Sequence, residues 1–499
     1  MLKRLIKHGI AIGLGQAVGI VQQLLLPPAF LHVYGIKGYS SWLIMSAGVM
    51  HLNSLDFGLQ TYIVNRLGML HHTGRRDEFR RVQSIGLRLV LGVAMLACIA
   101  LLPILALPLE SWLKIDLGAW ETRGTIFLLA LGILVQIFLG QISGVFRAIG
   151  RADRAQHWGN AQRAFVIATW LGLIAVKSRF LWLAAAQLGI GLSILAMVLL
   201  DLRRRAPDYF PTMREWDPDE ARRMIKPSLF FGLAVVNNFL LFEMPLLILQ
   251  RTVGPLAVVT FATTRTLFSA GRQLLTPAQS SLIPEFTRLH AVSDQATLAR
   301  LFRYSDAIAL IGGLAINVTL GMGSGVILAF WLRGQVLPAP QFIALMAIVS
   351  VVTIYREAMY LFPLATNQHE RNTLAMCFSY LGMGAGGWLL SRVLGESGML
   401  IAWLVSEIAI TGLLVRENWR LTGRKMTGPP LLHFGALVVV YFLLQSGIDR
   451  VAFMDRGSQV FAAAMAGALA FAGGLFTVGR GLIPDLARQF NRLRWQEND

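Results

Sequence analysis

Arg265 and Arg272 stand seven residues apart in TTRTLFSAGRQ (263–273), within a run that is otherwise apolar from Pro255 to about Ile283. At about 100° per residue, seven positions return to within about 20° of the starting direction. A helix therefore carries both guanidinium groups on one stripe, with Ser269, Thr276 and Gln279 beside them. Counted from a helix start near 254 at ~1.5 Å per residue, they lie roughly 16 and 27 Å along the axis. An arginine at the centre of a membrane helix costs roughly 2.5–3.5 kcal/mol on insertion scales. One polar face on an apolar helix thus implies a wet or protein-lined cavity on that side. Guanidinium binds phosphate oxygens bidentately, whereas carboxamides and hydroxyls supply the dispersed donors and acceptors that sugars need. The spacing points to a cationic, amide-walled lumen.

Other runs carry similar groups. Gln16 and Gln23 are seven apart, with Gly19 between them. In the second run His51, Ser54, Gly58 and Asn65 share a face, while Asn53, Asp56 and Gln60 share another. Asn237, Asn238 and Glu243 lie in the seventh run and Arg356-Glu357 in the tenth. The candidate substrate-binding set is Arg265, Arg272, Arg356, Gln16, Gln23, Asn237 and Asn238. Asp56, Glu243 and Glu357 are candidates for ion coupling or for bracing between helices. Ion pairing is the competing use of these charges. Glu243 and Arg265 flank the turn at 251–254 at nearly equal distance and are placed to neutralise each other. Arg272 has no acid at matching depth on the preceding run, which makes it the better substrate contact. Arg356 has Glu357 adjacent, although consecutive helical residues do not face each other. Arg88 and Arg163 lie near span ends, where a long side chain reaches the headgroups.

The elements that position these residues follow from composition. The chain of 499 residues is 55% apolar and 14% charged, with mean hydropathy +0.59, and soluble domains sit near 25% charged. Windows of about 19–25 mostly apolar residues recur at roughly 9–30, 41–64, 84–109, 124–147, 157–176, 180–201, 227–250, 254–283, 304–331, 341–366, 372–392, 397–416, 432–447 and 459–478. The expected fold is an all-α polytopic membrane protein with about 14 transmembrane helices. Continuous runs exclude barrel strands, which alternate apolar and polar residues. The first run follows MLKRLIKH but is too long for a cleaved signal core and is read as a retained span. Cys98 and Cys377 fall inside spans, away from disulfide or metal-ligand patterns.

The net charge of +18 is topological. Taken loop by loop, 30 Lys and Arg residues fall on the side of the N-terminus, 10 on the opposite side and five within spans. That is the positive-inside pattern, placing both termini in the cytoplasm of a multi-pass protein of the cell inner (cytoplasmic) membrane and arguing against nucleic acid as a partner.

The charged, proline-punctuated segment at 202–226 separates two six-span halves, 1–201 and 227–416. An extra hairpin at 432–478 and a cytoplasmic tail at 479–499 follow. GQAVGIVQQLLLPPAF (15–30) aligns without gaps on GLAVVNNFLLFEMPLL (232–247), matching Gly15 with Gly232, Ala17 with Ala234, Val18 with Val235, Leu24 with Leu241 and Pro28 with Pro245. With six spans per half the copies share orientation, so the repeat is parallel and its axis runs along the membrane normal. Pro27, Pro28, Pro245, Pro277 and Pro284 are expected to kink their helices.

The run LPPAFLHVYGIKGYSSWLIMSAGVMHLNSLDFGLQTYIVNRLG (26–68) resembles the opening of polysaccharide transporters of the O-antigen flippase type, in the multidrug/oligosaccharidyl-lipid/polysaccharide (MOP) exporter superfamily. The marks are the late proline of the first span, Tyr34-Gly35, Tyr39-Ser40-Ser41-Trp42 and Leu55-Asp56-Phe57-Gly58. The resemblance implies a MATE-like V of two six-helix bundles plus a C-terminal helix pair. It also implies a central cavity, open to one side at a time, that turns an undecaprenyl-pyrophosphate-linked oligosaccharide across the membrane. Expected partners are that lipid-linked oligosaccharide, the bilayer and other polysaccharide-assembly membrane proteins. A MATE-like multidrug or cation antiporter is the first alternative, and it calls for unpaired carboxylates in the lumen. A membrane glycosyltransferase or polymerase is the second, and it needs a large outer loop or an acidic metal motif that these short loops lack. GMGAGG (382–387) lies inside a span, with no strand before it, and reads as helix packing. No Walker motif, zinc-ligand spacing or nucleophile elbow occurs, so neither an enzyme nor a cofactor is expected.

Overall fold

The computed structural model describes residues 2–50, 52, 59–280, 282, 286, 289–290, 295–366, 368, 370–422, 430–451 and 454–477. These residues form helices and connecting turns, with no strand among them. The helices are α1 (Leu2–Met50), α2 (Leu59–His72), α3 (Arg76–Leu101), a short α4 (Leu109–Trp112), α5 (Ala119–Ala148), α6 (Ala152–Ala175), α7 (Phe180–Arg205), α8 (Pro218–Phe242), α9 (Met244–Thr252) and α10 (Pro255–Ser280). They continue as α11 (Gln295–Ala307), α12 (Gly313–Trp331), α13 (Pro340–Ala365), α14 (Glu370–Leu394), α15 (Glu396–Thr422), α16 (Pro430–Val451) and α17 (Arg456–Thr477). A π-helical turn, Ile308–Gly312, joins α11 to α12. Each expected span falls on one or two of these helices. Nine helices of the described residues are long and apolar enough to cross a membrane, which makes this a multi-pass helical membrane protein.

α1 contains the first expected span and the start of the second, and it breaks at Gly35, whose φ of 68° lies in the left-handed region that side chains with a β-carbon avoid. Aromatic rings clasp the break. Phe30 stacks on Trp42 at 5.3 Å, Tyr34 meets Phe180 at 4.7 Å, and Trp42 stands edge-on to Trp170 at 5.1 Å. The Tyr34 hydroxyl donates to the Ser178 carbonyl at 2.5 Å. The clasp therefore ties α1 to α6 and α7.

The chain divides into two compact units, Met1–Val259 and Thr260–Asp499. This boundary differs from one at the 202–226 segment, for a physical reason. That segment is strapped to the first bundle and does not hang free. Ser84 Oγ donates to the Glu215 carbonyl and accepts from the Glu215 amide, at 2.9 and 3.0 Å. Gln83 donates to the Tyr209 carbonyl at 3.0 Å, and the Tyr209 ring packs on Phe79. Arg88, expected to reach toward headgroups, instead bonds the Met213 carbonyl and lies over the Trp216 ring. The seventh expected span is split between α8 and α9 at Glu243, two residues before Pro245, because proline removes a backbone donor and clashes with the preceding turn. α9 is held by Gln250, which accepts from Ser40 Oγ at 2.9 Å and donates to the Lys114 carbonyl at 2.8 Å. Within the second unit α13 is the core helix, buried over most of its length, with α12, α15 and α16 packed against it.

No atom lies within 4 Å of the β-carbon that an alanine at Gly35 would add, so the cost of Gly35→Ala is conformational alone. The variant should be destabilised by about 1–2 kcal/mol, read as a lower thermal midpoint in detergent. An unchanged midpoint would show that the break is not held at this angle.

Candidate functional site

The first unit encloses a cavity of about 620 Å³ lined by α1, α2, α5, α6 and α7. Five glutamines face it, Gln22, Gln60, Gln136, Gln162 and Gln187. Each helix contributes one, so the amides ring the space and form no stripe. Gln60 is fixed by donating to the Ile137 carbonyl at 2.8 Å, and it approaches α5 at Gly140, where a β-carbon would collide with it. Gln162 is buried, and its Nε2 has no partner. A buried amide donor without an acceptor is costly, and beside a cavity it is a ready contact for an acceptor oxygen inside.

Among the described residues the charge in this cavity has one sign: Arg147, at the end of α5, and Arg163, on α6, both line it, and no described carboxylate does. Arg163, expected to reach toward headgroups, is exposed and also lines this cavity. The neighbouring acid, Asp201, is engaged elsewhere: Arg154 pairs with it at 2.9 Å, Arg205 bonds it at the same distance, and Trp158 Nε1 donates to it at 3.1 Å. The Trp158 and Trp170 rings add flat apolar wall. Amides, aromatic faces and guanidinium groups together suit a polyhydroxylated or anionic ligand and oppose a cationic one.

The second unit treats its charge differently. Arg272 on α10 donates to Glu357 on α13 at 2.6 Å. Glu357 also lies 3.7 Å from Arg356, which is bonded through Nε to Glu407 on α15 at 3.0 Å. Glu407 is fully buried and accepts further from Tyr380 and Trp403, each at 3.2 Å. Two guanidinium groups and two carboxylates thus form a chain across α10, α13 and α15, which Tyr380 extends to α14. The expectation that Arg272 lacks an acidic neighbour holds only for the preceding helix. Its carboxylate comes from α13, 85 residues away. Arg356 takes Glu407 as its close partner, with adjacent Glu357 farther off.

The remaining candidates are scattered. Arg265 lies over the Phe261 ring, 5.8 Å from its centroid. Gln23 is exposed; Asn237 is buried while its neighbour Asn238 is exposed. Glu243 sits at the α8–α9 break. Asp56 and the side chain of Gln16 lie outside the described residues. Of the cavity glutamines, sequence reasoning singles out Gln60 alone. The signal for the others is faint, a glutamine set within the apolar stretch of each of α5, α6 and α7.

Comparison with solved structures shows the fold's relatives. An inward-facing multidrug resistance MATE family transporter of the MOP superfamily superposes with a TM-score of 0.71 at 14% identity, over 82% of this chain and 96% of that one. Lipid II flippase MurJ, in an inward closed conformation, gives 0.66 at 11% identity, over 96% of this chain and all of that one. The fold is that of MOP-superfamily transporters. A third such transporter, from Pyrococcus furiosus, described by the reverse polarity of its binding pocket, gives 0.58 at 15% identity over 85% of this chain and 96% of that one. No protein-family pattern matches the chain, and no curated protein does. The solved structures that share this fold are described as transporters and a flippase.

Removing one member of a buried pair strands the other, at a cost of about 3–5 kcal/mol. Glu407→Gln should therefore lower the thermal midpoint sharply, whereas Arg356→Met with Glu407→Leu should recover much of the loss. A double variant as unstable as the single one would assign the effect to packing.

Proposed function

We propose that the protein is a flippase of the inner membrane that moves an undecaprenyl-pyrophosphate-linked oligosaccharide, such as an O-antigen, capsule or exopolysaccharide repeat unit, by alternating access. One observation carries this reading: among the described residues the first-unit cavity presents five amides and two arginines and no carboxylate. A diphosphate carries two or more negative charges, which guanidinium forks bind with charge-assisted bonds. The attached sugars present hydroxyl groups that pair with carboxamides and pack their apolar faces on aromatic rings. The loop charge asymmetry supports cytoplasmic termini.

The MATE-like alternative draws support from the fold likeness to a multidrug transporter. Binding an organic cation calls for an unpaired carboxylate in the site, and the cavity has none among its described lining residues. The MOP-superfamily transporter described by its reversed pocket polarity and different function supports polarity as the feature that separates cargo classes within this fold.

Deletion of the gene should abolish surface polysaccharide and cause lipid-linked repeat units to accumulate on the inner leaflet, with no change in sensitivity to cationic dyes. Normal surface polysaccharide without accumulation would overturn the reading. In complemented cells Arg147→Ala should reduce export about tenfold or more, the loss expected for one hydrogen bond to a charged group. Arg147→Lys should retain part of the activity.

A further inference from the structure

A second cavity, of about 320 Å³, opens where the first turn of α14 meets the last turns of α15. It is lined by Arg371, Arg416 and Arg420, with Glu417 as the one carboxylate and Asn372, Ala375 and Leu413 completing the wall. Glu417 reaches Arg371 at 3.6 Å and Arg420 at 3.5 Å. Both are long contacts to arginines that are largely exposed, which contribute little to stability. Three cationic groups against one anion leave the cavity with surplus positive charge. Asn372 is 5% exposed, and its Nδ2 has no hydrogen-bond partner. Asn372 thus brings a spare amide donor to the wall of a cavity lined by guanidinium groups.

The setting narrows the anion to a lipid. Both helices are long and apolar enough to span the membrane. The loop charges assign this end of the pair to the cytoplasmic face. Ala375 and Leu413 form an apolar inner wall. Along α14 the exposed Leu374, Phe378 and Leu381 continue outward at helical spacing, a track suited to an acyl chain. A basic pocket between membrane helices at the cytoplasmic surface is the arrangement that holds anionic headgroups.

We propose that this cavity is a binding site for the phosphodiester headgroup of an anionic membrane lipid. The forks of Arg416 and Arg420 take the phosphate oxygens, Asn372 Nδ2 donates to a third acceptor, and one acyl chain lies along Leu374 and Phe378. The site is separate from the amide-lined cavity, and it stands whether the cargo is a lipid-linked glycan or a drug.

The test uses the full-length protein purified in neutral detergent, with thermal stability measured against added phosphatidylglycerol, phosphatidylcholine or inorganic phosphate. Phosphatidylglycerol should raise the midpoint and phosphatidylcholine should not. Arg416→Gln and Arg420→Gln should each raise the lipid concentration needed by about fivefold, as expected for about one kcal/mol per basic residue near the surface. Asn372→Ala should weaken the response further, and Arg392→Gln, a basic change at the opposite end of α14, should leave it intact. Equal responses to the two lipids, or an unaltered response in Arg416→Gln and Arg420→Gln, would overturn the proposal. Stabilisation by inorganic phosphate equal to that by phosphatidylglycerol would overturn the lipid assignment. Arg416 and Arg420 are exposed, so their variants fold and the comparison remains readable.

Discussion

Polar groups removed from water must find partners inside the protein, and a protein in hydrocarbon has no solvent to fall back on. That constraint organises this molecule more than any single contact. Backbone donors and acceptors are absorbed almost wholly by helices. The side chains that helices cannot absorb, the arginines, acids and amides within apolar runs, dictate which helices lie together. Where they are numerous they cancel one another or border an open space.

The two units use these two solutions separately. In the second, Arg272, Glu357, Arg356 and Glu407 close a neutral chain in which every charge meets an opposite one. Such pairs seldom add net stability compared with apolar residues of equal volume, but breaking one is costly. Their effect here is to bind α10, α13 and α15 into one body. In the first unit the amides and arginines around the 620 Å³ cavity have no acid among the described lining residues to answer them, and Gln162 leaves a donor unused. A saturated network has little left to offer a ligand, whereas an unsaturated one retains its bonding capacity. The contrast is why the functional reading rests on the first unit, although the deepest charges in the sequence belong to the second.

Much of the fold was legible in the sequence because apolar length is a strong signal. Each expected span found its place in a helix, and Tyr34-Gly35 marked a real break. Less legible were features created by contacts between distant segments. Nothing local to Gln250 reveals that it bridges Ser40 and Lys114, so the edge of the first unit lies past α9 and not at the charged linker. The partner of Arg272 lies three helices further along the chain, and helical periodicity is blind to it. Four of the five cavity glutamines escaped for the opposite reason. A ring built from one residue on each of five helices has no periodicity along any of them, whereas the stripe at Arg265 and Arg272 has a strong one, and of these two Arg272 is engaged by Glu357.

The edge of the first unit at Val259 has a consequence for biosynthesis. The polypeptide leaves the ribosome from its N-terminal end, and domains tend to fold as units in that order. Every residue lining the amide-rich cavity precedes Leu188, and the strap and α9 that complete this unit follow within the next stretch of chain. The nascent protein can thus assemble its ligand chamber in the insertion machinery before the neutral arginine–glutamate chain has been translated. A chain truncated near position 259 would retain every residue that lines this chamber.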